Sequence, residues 1–342
     1  MSRKDVAKLA GVSEATVSRV MNNVGPIKKE TREKVMNAAA QLGYELNALA
    51  QQLARQKSGN IGVVLPYVPK VHLFSTYYFS EILSGIAEVA KQANVDLLML
   101  FQDTSGQKDY SRLFRSKKID SCIILGATDT VNEREALQEL EDNQYPFVII
   151  NQKFHGKQYA FVDGDHERGS YEAVNHLLDR GSKQIAFLNG PVQYSNSIDR
   201  YNGYVHALSD RGIAINQEWL FEGNYSRKSG VLASEALVVP IKEGHIDGIF
   251  AANDRMAIGV MEGLANHGLE AGKDYRIIGY DDSDGARIVS PKLSSVAVPF
   301  YDMGVQAASM LLERTNDRES TIDQEQLKSR VLPVKLVVRQ SS

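Results

Sequence analysis

The first residues whose types and spacing suggest a chemical role lie in DVAKLAGVSEATVSRVMN, from Asp5 to Asn22. Apolar positions recur there at helical spacing on both sides of a glycine, which predicts two helices joined by a tight turn. The second helix would expose side chains suited to base edges in a DNA major groove, namely Glu14, Ala15, Ser18, Arg19 and Asn22. Arginine can pair with guanine, glutamate can accept from the cytosine amino group, and alanine can contact the thymine methyl. The alternative role for Glu14 is a favourable charge in the first helical turn.

Three short helices around one small core would position these side chains. Val6 and Leu9 are predicted on the buried face of the first helix, and Ser13 is a predicted N-cap for the second. A third helix is expected over residues 29–42, where Gly43 ends it. This arrangement is a helix-turn-helix unit.

Charge is unevenly distributed along the chain. The 342 residues carry a net charge of -3, but residues 1–58 hold ten Lys and Arg against five acids, or +5, and the remainder holds -8. A basic front on an acidic body suggests a nucleic-acid-binding module attached to a carrier domain.

The composition is that of an ordinary soluble protein, with 43% apolar and 24% charged residues. The single cysteine, Cys122, cannot form an intramolecular disulfide. The first residues lack a signal-peptide pattern, and no apolar run approaches the ~20 residues of a membrane span. The sequence therefore predicts a cytoplasmic protein without a membrane partner.

From residue 59 onward, short apolar runs such as IGVVLP, VDLLMLF and SCIILG alternate with amphipathic helical stretches. Runs of this kind are typical of buried parallel strands, and their alternation with helices predicts a doubly wound α/β body. The body is too long for one sheet, so two lobes are expected.

Ligands in such folds bind beyond the carboxyl ends of the strands. The residues predicted there are amides, carboxylates and phenols, which suit a ligand rich in hydroxyl groups. They are Pro66, Tyr67, Asp103, Asn151, Asp165, Asn189, Tyr225, Asn253, Asp254, Asp281 and Asp282. The sequence contains no G-x-S-x-G, H-E-x-x-H, C-x-x-C or GK[ST] motif and no convincing histidine pair, so neither an enzyme, a metal site nor a cofactor is expected.

Several motifs together resemble the LacI/GalR family of bacterial transcription regulators: DVAKLAGVS, ATVSRVMN, TREKV, LGY and N-x-x-A-x-x-L-A, in family order and spacing. The resemblance implies a small all-α helix-turn-helix DNA-binding domain followed by a two-lobed, doubly wound, periplasmic-binding-protein-like α/β domain. It places DNA contacts at Ser13, Glu14, Ala15, Thr16, Ser18, Arg19 and Asn22, and in a hinge at Asn47, Ala50 and Leu53. Lys28 departs from the family, which usually has a serine N-cap at this position.

The same resemblance implies the domain boundaries. The DNA-binding domain would span residues 1–46, a hinge residues 47–58, and an effector-binding and dimerisation domain residues 59–342. Its lobes are predicted as 59–160 with 292–322, and 161–291 with 323–342. In the family, the hinge folds in the minor groove and two copies of one leucine, here Leu53, wedge between base pairs; an ordinary apolar linker contact is the alternative.

Motif matching places the effector-contacting side chains at Tyr78, Phe79, Asn151, Asn196, Arg200, Tyr225, Asn253 and Asp281. Each also has a structural alternative, because Asn253 and Asp281 can cap helices, Arg200 can form a structural ion pair, and Phe79 can belong to the core.

The resemblance implies a homodimeric repressor that binds a palindromic operator in double-stranded DNA and is controlled by a small effector. A sugar and a sugar-utilisation operon are favoured. A purine is the alternative, because Tyr78, Phe79 and Tyr225 could sandwich a flat base. A global carbon-catabolite regulator is disfavoured, because Ser309 replaces the arginine on which a phosphocarrier docks. A sugar-binding transport component would need an export signal and no DNA-binding domain.

Overall fold

The computed structural model describes residues 2–22, 24–44, 58–69, 72–103, 106–316 and 329–342. The first part, called the head below, contains three helices, α1 (Arg3–Ala10), α2 (Glu14–Met21) and α3 (Lys29–Leu42). Gly11 ends α1 at a φ of 66° and Gly43 ends α3 at a φ of 57°, left-handed conformations that glycine adopts without a steric cost.

A small apolar core holds the three helices together, and it includes Val6, Val17, Val20 and Val35. One prediction for this core is wrong. Leu9 is 51% exposed, and Ala7 is buried in its place. The residues α1 buries are therefore Val6 and Ala7, because α1 has only two turns and packs against α2 and α3 along a narrower face than its apolar pattern suggested.

The body contains two sheets. The first sheet has the strand order β11-β5-β4-β3-β1-β2 and the second has the order β12-β10-β9-β8-β6-β7. All paired strands are parallel except β10 and β12. The strands of the first sheet are β1 (Asn60–Tyr67), β2 (Asp96–Asp103), β3 (Ser121–Leu125), β4 (Phe147–Ile150), β5 (Phe161–Gly164) and β11 (Arg330–Leu332). Those of the second are β6 (Ile185–Asn189), β7 (Leu220–Glu222), β8 (Gly248–Ala251), β9 (Arg276–Asp281), β10 (Ser294–Ala297) and β12 (Lys335–Val337).

Helices lie between these strands in sequence, as expected for a doubly wound fold. The α-helices of the body that the structure describes are Tyr77–Ala93, Ser111–Arg115, Val131–Asp142, His166–Asp179, Ser195–Asp210, Arg227–Lys242, Asp254–Ala265, Asp284–Ile288 and Phe300–Asn316. None of the described helices has the length and apolar character needed to cross a membrane.

The chain passes between the two sheets three times: after β5, after β10 and after β11. These passages correct the predicted lobe boundaries, because β5 and β11 belong to the first sheet and β10 belongs to the second. Strand pairing decides membership, and it is set by contacts distant in sequence, such as Arg330 beside Val162 and Ser295 beside Val337.

The strand β2 also differs from expectation. It was predicted as a buried strand, but it is the outermost strand of the first sheet and its residues are only half-buried or exposed. Met99 and Phe101 point to solvent from alternate positions, and Phe74 meets Phe101 edge to face with ring centroids 6.1 Å apart. An edge strand has one neighbour, so its apolar side chains stay uncovered in a single copy.

Candidate functional site

The first turn of α2 is fixed by its cap. The Ser13 hydroxyl accepts a hydrogen bond from the Thr16 amide at 3.1 Å and lies 2.9 Å from the Thr16 hydroxyl. The prediction of Ser13 as an N-cap is therefore confirmed. Glu14, Ala15 and Arg19 are exposed on the surface of α2 away from the apolar core, whereas Ser18 is half-buried. The side chains suited to base edges thus share one accessible face.

Asn22 does not belong to this exposed face, which corrects the prediction. It is only 9% exposed, and its side-chain amide donates to the Ser18 carbonyl at 2.8 Å at the end of α2. The helix ends at this residue, and the Ser18 carbonyl accepts both from this side-chain amide and from the Asn22 backbone amide, which is 3.0 Å away. Three predicted DNA contacts, Asn47, Ala50 and Leu53, lie outside the described residues.

Four of the predicted effector residues form a continuous chain of hydrogen bonds at the carboxyl ends of the strands. We call the region around these residues the cleft. The Asn196 amide donates to the Asn151 carbonyl at 3.4 Å, and the Tyr225 hydroxyl donates to the Asn196 amide oxygen at 2.8 Å. The Asn253 amide donates to the Tyr225 carbonyl at 3.1 Å. Asn151 follows β4 in the first sheet, so this chain joins the ends of both sheets.

Two of the predicted effector residues, Asn253 and Arg200, also have structural roles, and that of Asn253 is the helix cap that was its predicted alternative. The Asn253 side-chain oxygen accepts from the Met256 amide at 2.9 Å and caps the helix Asp254–Ala265. Arg200 is 2% exposed and donates to the Ala252 carbonyl at 2.7 Å. A ligand in the cleft would therefore have to share or replace hydrogen bonds that these side chains already make.

Arg200 lies at the centre of the cleft. Its guanidinium stacks on the Tyr280 ring, 4.1 Å from the centroid, and lies 3.8 Å from the Asp281 carboxylate. Its Nε has no hydrogen-bond partner. A planar cation with one unused donor can bind a hydroxyl or carbonyl oxygen of a ligand.

Two carboxyl groups at the strand ends have raised pKa values: Asp281, which lies beside Arg200, and Asp254, which bonds to Ser283 and Ser295. Burial raises the pKa of Asp281 to about 8, although Arg200 acts in the opposite direction. Burial likewise raises the pKa of Asp254 to about 7, against hydrogen bonds from the Ser295 hydroxyl at 2.6 Å and the Ser283 amide at 2.7 Å. Near neutral pH these groups can therefore donate as well as accept a hydrogen bond.

His166 belongs to the same cluster and was not predicted from the sequence. Its Nε2 lies 2.7 Å from the Asn151 amide oxygen and 3.2 Å from the Asp163 carboxylate, and its Nδ1 lies 3.4 Å from Arg200. Burial, reinforced by Arg200, lowers the pKa of His166. A neutral ring with its proton on Nε2 can donate to the Asn151 amide oxygen and accept from Arg200 at Nδ1. The only signal in the sequence was the i, i+3 spacing of Asp163 and His166.

Aromatic side chains cover the cleft from the first lobe. Tyr78 meets Phe79 at 4.7 Å and Phe300 at 5.0 Å between ring centroids, both edge to face. Burial raises the pKa of Tyr78, and Asp281 and Asp163 raise it further. The rings of Phe79 and Phe300 thus pack against the Tyr78 ring. Phe300, from another helix, was not predicted.

The cleft therefore combines amides, a guanidinium, carboxyls and phenols with an aromatic wall. This composition suits binding of a small polar ligand with apolar faces. Within the described part of the chain, no group of three His, Cys, Asp or Glu residues is arranged to hold a metal ion.

Comparisons with known proteins agree with this architecture. Residues 3–47 match the lacI family of bacterial regulatory proteins, and residues 174–342 match a periplasmic binding protein-like domain. Catabolite control protein A of Priestia megaterium is 32% identical over 341 residues, which cover 99% of this chain and 98% of that protein. The lac repressor dimer bound to operator and the anti-inducer ONPF has a TM-score of 0.80 at 28% identity, covering 100% of this chain and 98% of that chain. A complex of the transcriptional regulator CelR with cellobiose has a TM-score of 0.74 at 26% identity and covers 100% of both chains. The chain belongs to the LacI family of bacterial transcriptional regulators.

Proposed function

We propose that this regulator is a repressor of a sugar-utilisation operon, and that a small sugar or sugar derivative bound in the cleft controls its affinity for DNA. The observation that carries this proposal is the hydrogen-bonded chain from Asn151 through Asn196 and Tyr225 to Asn253, with Arg200 and Asp281 beside it. Each sugar hydroxyl both donates and accepts, and the cleft offers groups of both kinds. The CelR structure supports a sugar as the effector, because that protein has a similar fold and is in complex with cellobiose.

In this proposal the head (residues 1–46) binds duplex DNA through Ser13, Glu14, Ala15, Thr16, Ser18 and Arg19. The hinge, residues 47–58, adds Asn47, Ala50 and Leu53 in the minor groove. Asn22 supports the end of α2 from its buried position. Binding of this kind depends strongly on salt, because basic side chains displace counterions from phosphates.

The regulator acts in the cytoplasm as a homodimer, since two copies match the two halves of a palindromic operator. The uncovered apolar side chains at the edge of the first sheet support this assembly. Tyr67, Phe74, Met99 and Phe101 are exposed there beside one another, which single soluble copies rarely tolerate. The lac repressor, with the same fold, is a dimer on its operator.

Control of DNA binding follows from linkage. An effector that binds one arrangement of the lobes more tightly than another changes the relation of the two hinges, and so changes operator affinity. The three passages of the chain between the sheets lie next to one another, because the Asp165 amide donates to the Leu332 carbonyl and Ala297, at the end of β10, pairs with Lys335. They form a natural hinge for lobe movement.

Arg200→Ala tests the proposal. Sugars, sugar phosphates and purines are first screened by thermal shift, and the active compound is then titrated into a gel-shift reaction with operator DNA. We expect the variant, assayed at a temperature at which its melting curve shows it to be folded, to bind operator as the parent does but to lose the response to the compound. A response equal to that of the parent would remove Arg200 from the effector site, and a response to purines alone would replace the sugar by a purine base.

A further inference from the structure

One contact in the head is not explained by its fold or by the predicted base contacts. Arg3, the first residue of α1, approaches Glu14, the first residue of α2, with 3.3 Å between Nε and the carboxylate oxygen. The two side chains are 50% and 45% exposed. An exposed ion pair of this kind adds little to the stability of the fold. We therefore consider its role in the function of the exposed face of α2.

Both residues leave the backbone from fixed positions. Ser2 caps α1 through a reciprocal pair of bonds with Asp5, in which the Ser2 amide donates to the Asp5 carboxylate at 2.9 Å. Ser13 caps α2 in the same first-turn position. The Cα positions of Arg3 and Glu14 are thus set by two capped helix starts, and the pair bridges α1 to the face of α2 that carries Ala15 and Arg19.

Electrostatics explain why a glutamate on this face needs a cation. The front of the chain carries a net charge of +5 and approaches phosphates, which repel a carboxylate. A neighbouring guanidinium offsets that repulsion, and the attraction between the two charges grows when water leaves the groove. Among the described residues, Arg3 makes no other side-chain hydrogen bond, so its terminal nitrogens remain available for DNA.

We propose that Arg3 is a positioning residue that determines specificity through Glu14. Its Nε orients the carboxylate toward the amino group of a cytosine in each half-site, and its terminal nitrogens bind the adjacent phosphate or guanine. This inference rests on the proposed function of the head as a reader of duplex DNA. If Arg3 positions Glu14 in this way, recognition of that base pair depends on side chains of both α1 and α2.

The test is selection of the full-length protein on a library of randomised duplexes, followed by fluorescence anisotropy on the enriched sequence and its single-base variants. The variants are Arg3→Met, Arg3→Lys, Glu14→Gln and the control Lys4→Met. Lys4 is the exposed neighbour of Arg3, so its substitution removes the same charge without touching Glu14. Melting curves of each variant establish that the head is folded.

We expect the parent protein to enrich a C·G pair at one symmetric position of each half-site. Glu14→Gln and Arg3→Met should both lower discrimination at that position by about tenfold, and Arg3→Lys should retain part of it. Lys4→Met should keep the preference while losing affinity equally for all sequences.

Two results would overturn the inference while leaving DNA binding established. One is an Arg3→Met variant that keeps the preference and behaves like Lys4→Met, which would make Arg3 a phosphate contact only. The other is a Glu14→Gln variant with unchanged preference, which would leave Glu14 as a helix-start charge. Failure of the parent to enrich any palindrome would instead overturn the proposed function itself.

Discussion

The head and the cleft hold their functional side chains in opposite ways. On α2, Glu14 and Arg19 are exposed, and the hydrogen bonds that shape the helix are made by other residues, such as Ser13. In the cleft, Arg200 and Asn253 are buried and already bonded to carbonyl groups of the protein. Binding and stability are therefore separable in the head but coupled in the cleft.

This difference has a physical consequence for ligand control. DNA meets side chains whose competing partner is water, so charge and base matching set affinity. An effector meets side chains that are already bonded to the protein, and one of them, Asn196, donates to the Asn151 carbonyl at the end of the other sheet, so effector binding must exchange protein hydrogen bonds for ligand hydrogen bonds. Such an exchange links occupancy of the cleft to the arrangement of the lobes.

The largest predicted effect is on Arg200. Arg200→Met should lower the free energy of unfolding of the body by about 3 to 5 kcal/mol, because it leaves the buried Ala252 carbonyl without its donor and removes the cation from the face of the Tyr280 ring. Urea unfolding followed by circular dichroism measures this. Arg287→Met is the matched control, since Arg287 also pairs with a carboxylate but is 52% exposed. Equal losses in the two variants would contradict the coupling of site and stability.

A smaller loss is expected where two helices that carry the aromatic wall cross. A Cβ at Gly304 would lie 2.1 Å from the Ile82 carbonyl, so Gly304→Ala must push the helix Phe300–Asn316 away from the helix Tyr77–Ala93. We expect a loss of about 2 to 3 kcal/mol in urea unfolding and weaker effector binding. Ser309→Ala, on the same helix, should change neither quantity. Unaltered stability of Gly304→Ala would show that the wall tolerates displacement.

The pH dependence of stability should come from the cleft. The pKa of Asp281 is raised to about 8 and that of Asp254 to about 7 from 3.8, so the folded state binds these protons more tightly than the unfolded state does. Their contribution to stability is complete below pH 3.8 and is lost as pH rises through 7 and 8. The slope is about 1.4 kcal/mol per pH unit for each group that keeps its proton only when folded.

The melting temperature should therefore fall between pH 5 and pH 9, and Asp281→Asn should flatten part of that fall. Asp284→Asn, which alters an exposed carboxylate nearby, should leave the profile unchanged. A profile that is the same in the parent and Asp281→Asn would argue against a buried, protonated carboxyl.

The smallest effect is predicted in the head. Lys28 occupies the N-cap of α3 without a side-chain capping bond, so Lys28→Ser should add about 1 kcal/mol to the stability of the head. It should also reduce the salt dependence of DNA binding by about one phosphate contact. Lys29→Ser removes the same charge without supplying a cap, and should lower the salt dependence alone. A gain in stability for both variants would rule out capping as the cause.

The head could be predicted from the sequence almost completely, because its structure is local. The span of α3, its end at Gly43 and the cap at Ser13 follow from spacing and capping residues, and all are confirmed. The errors concern burial at helix ends and faces. Leu9 and Asn22 were placed by periodicity, which gives the direction of a side chain but not the size of the partner that covers it.

The α/β fold class of the body could be predicted from the sequence, but the assignment of every strand to its sheet could not. Local apolar runs identify β1 to β9, whereas β10, β11 and β12 are short and their sheet is chosen by pairing with distant strands. The polar residues that follow the strands were predicted from local sequence, whereas His166 and Phe300 were not. Their contacts join segments more than a hundred residues apart, to Tyr280 and to Tyr78 respectively.

The central claim is that a ligand in the cleft controls the affinity of the head for DNA. One titration tests it most directly. The affinity of the full-length protein for its selected palindromic duplex is measured by fluorescence anisotropy, with and without each compound that raises the melting temperature. We predict that at least one sugar changes the dissociation constant by roughly 5- to 150-fold in the parent and leaves it unchanged in Arg200→Ala. A dissociation constant that stays the same with every stabilising compound would contradict the claim.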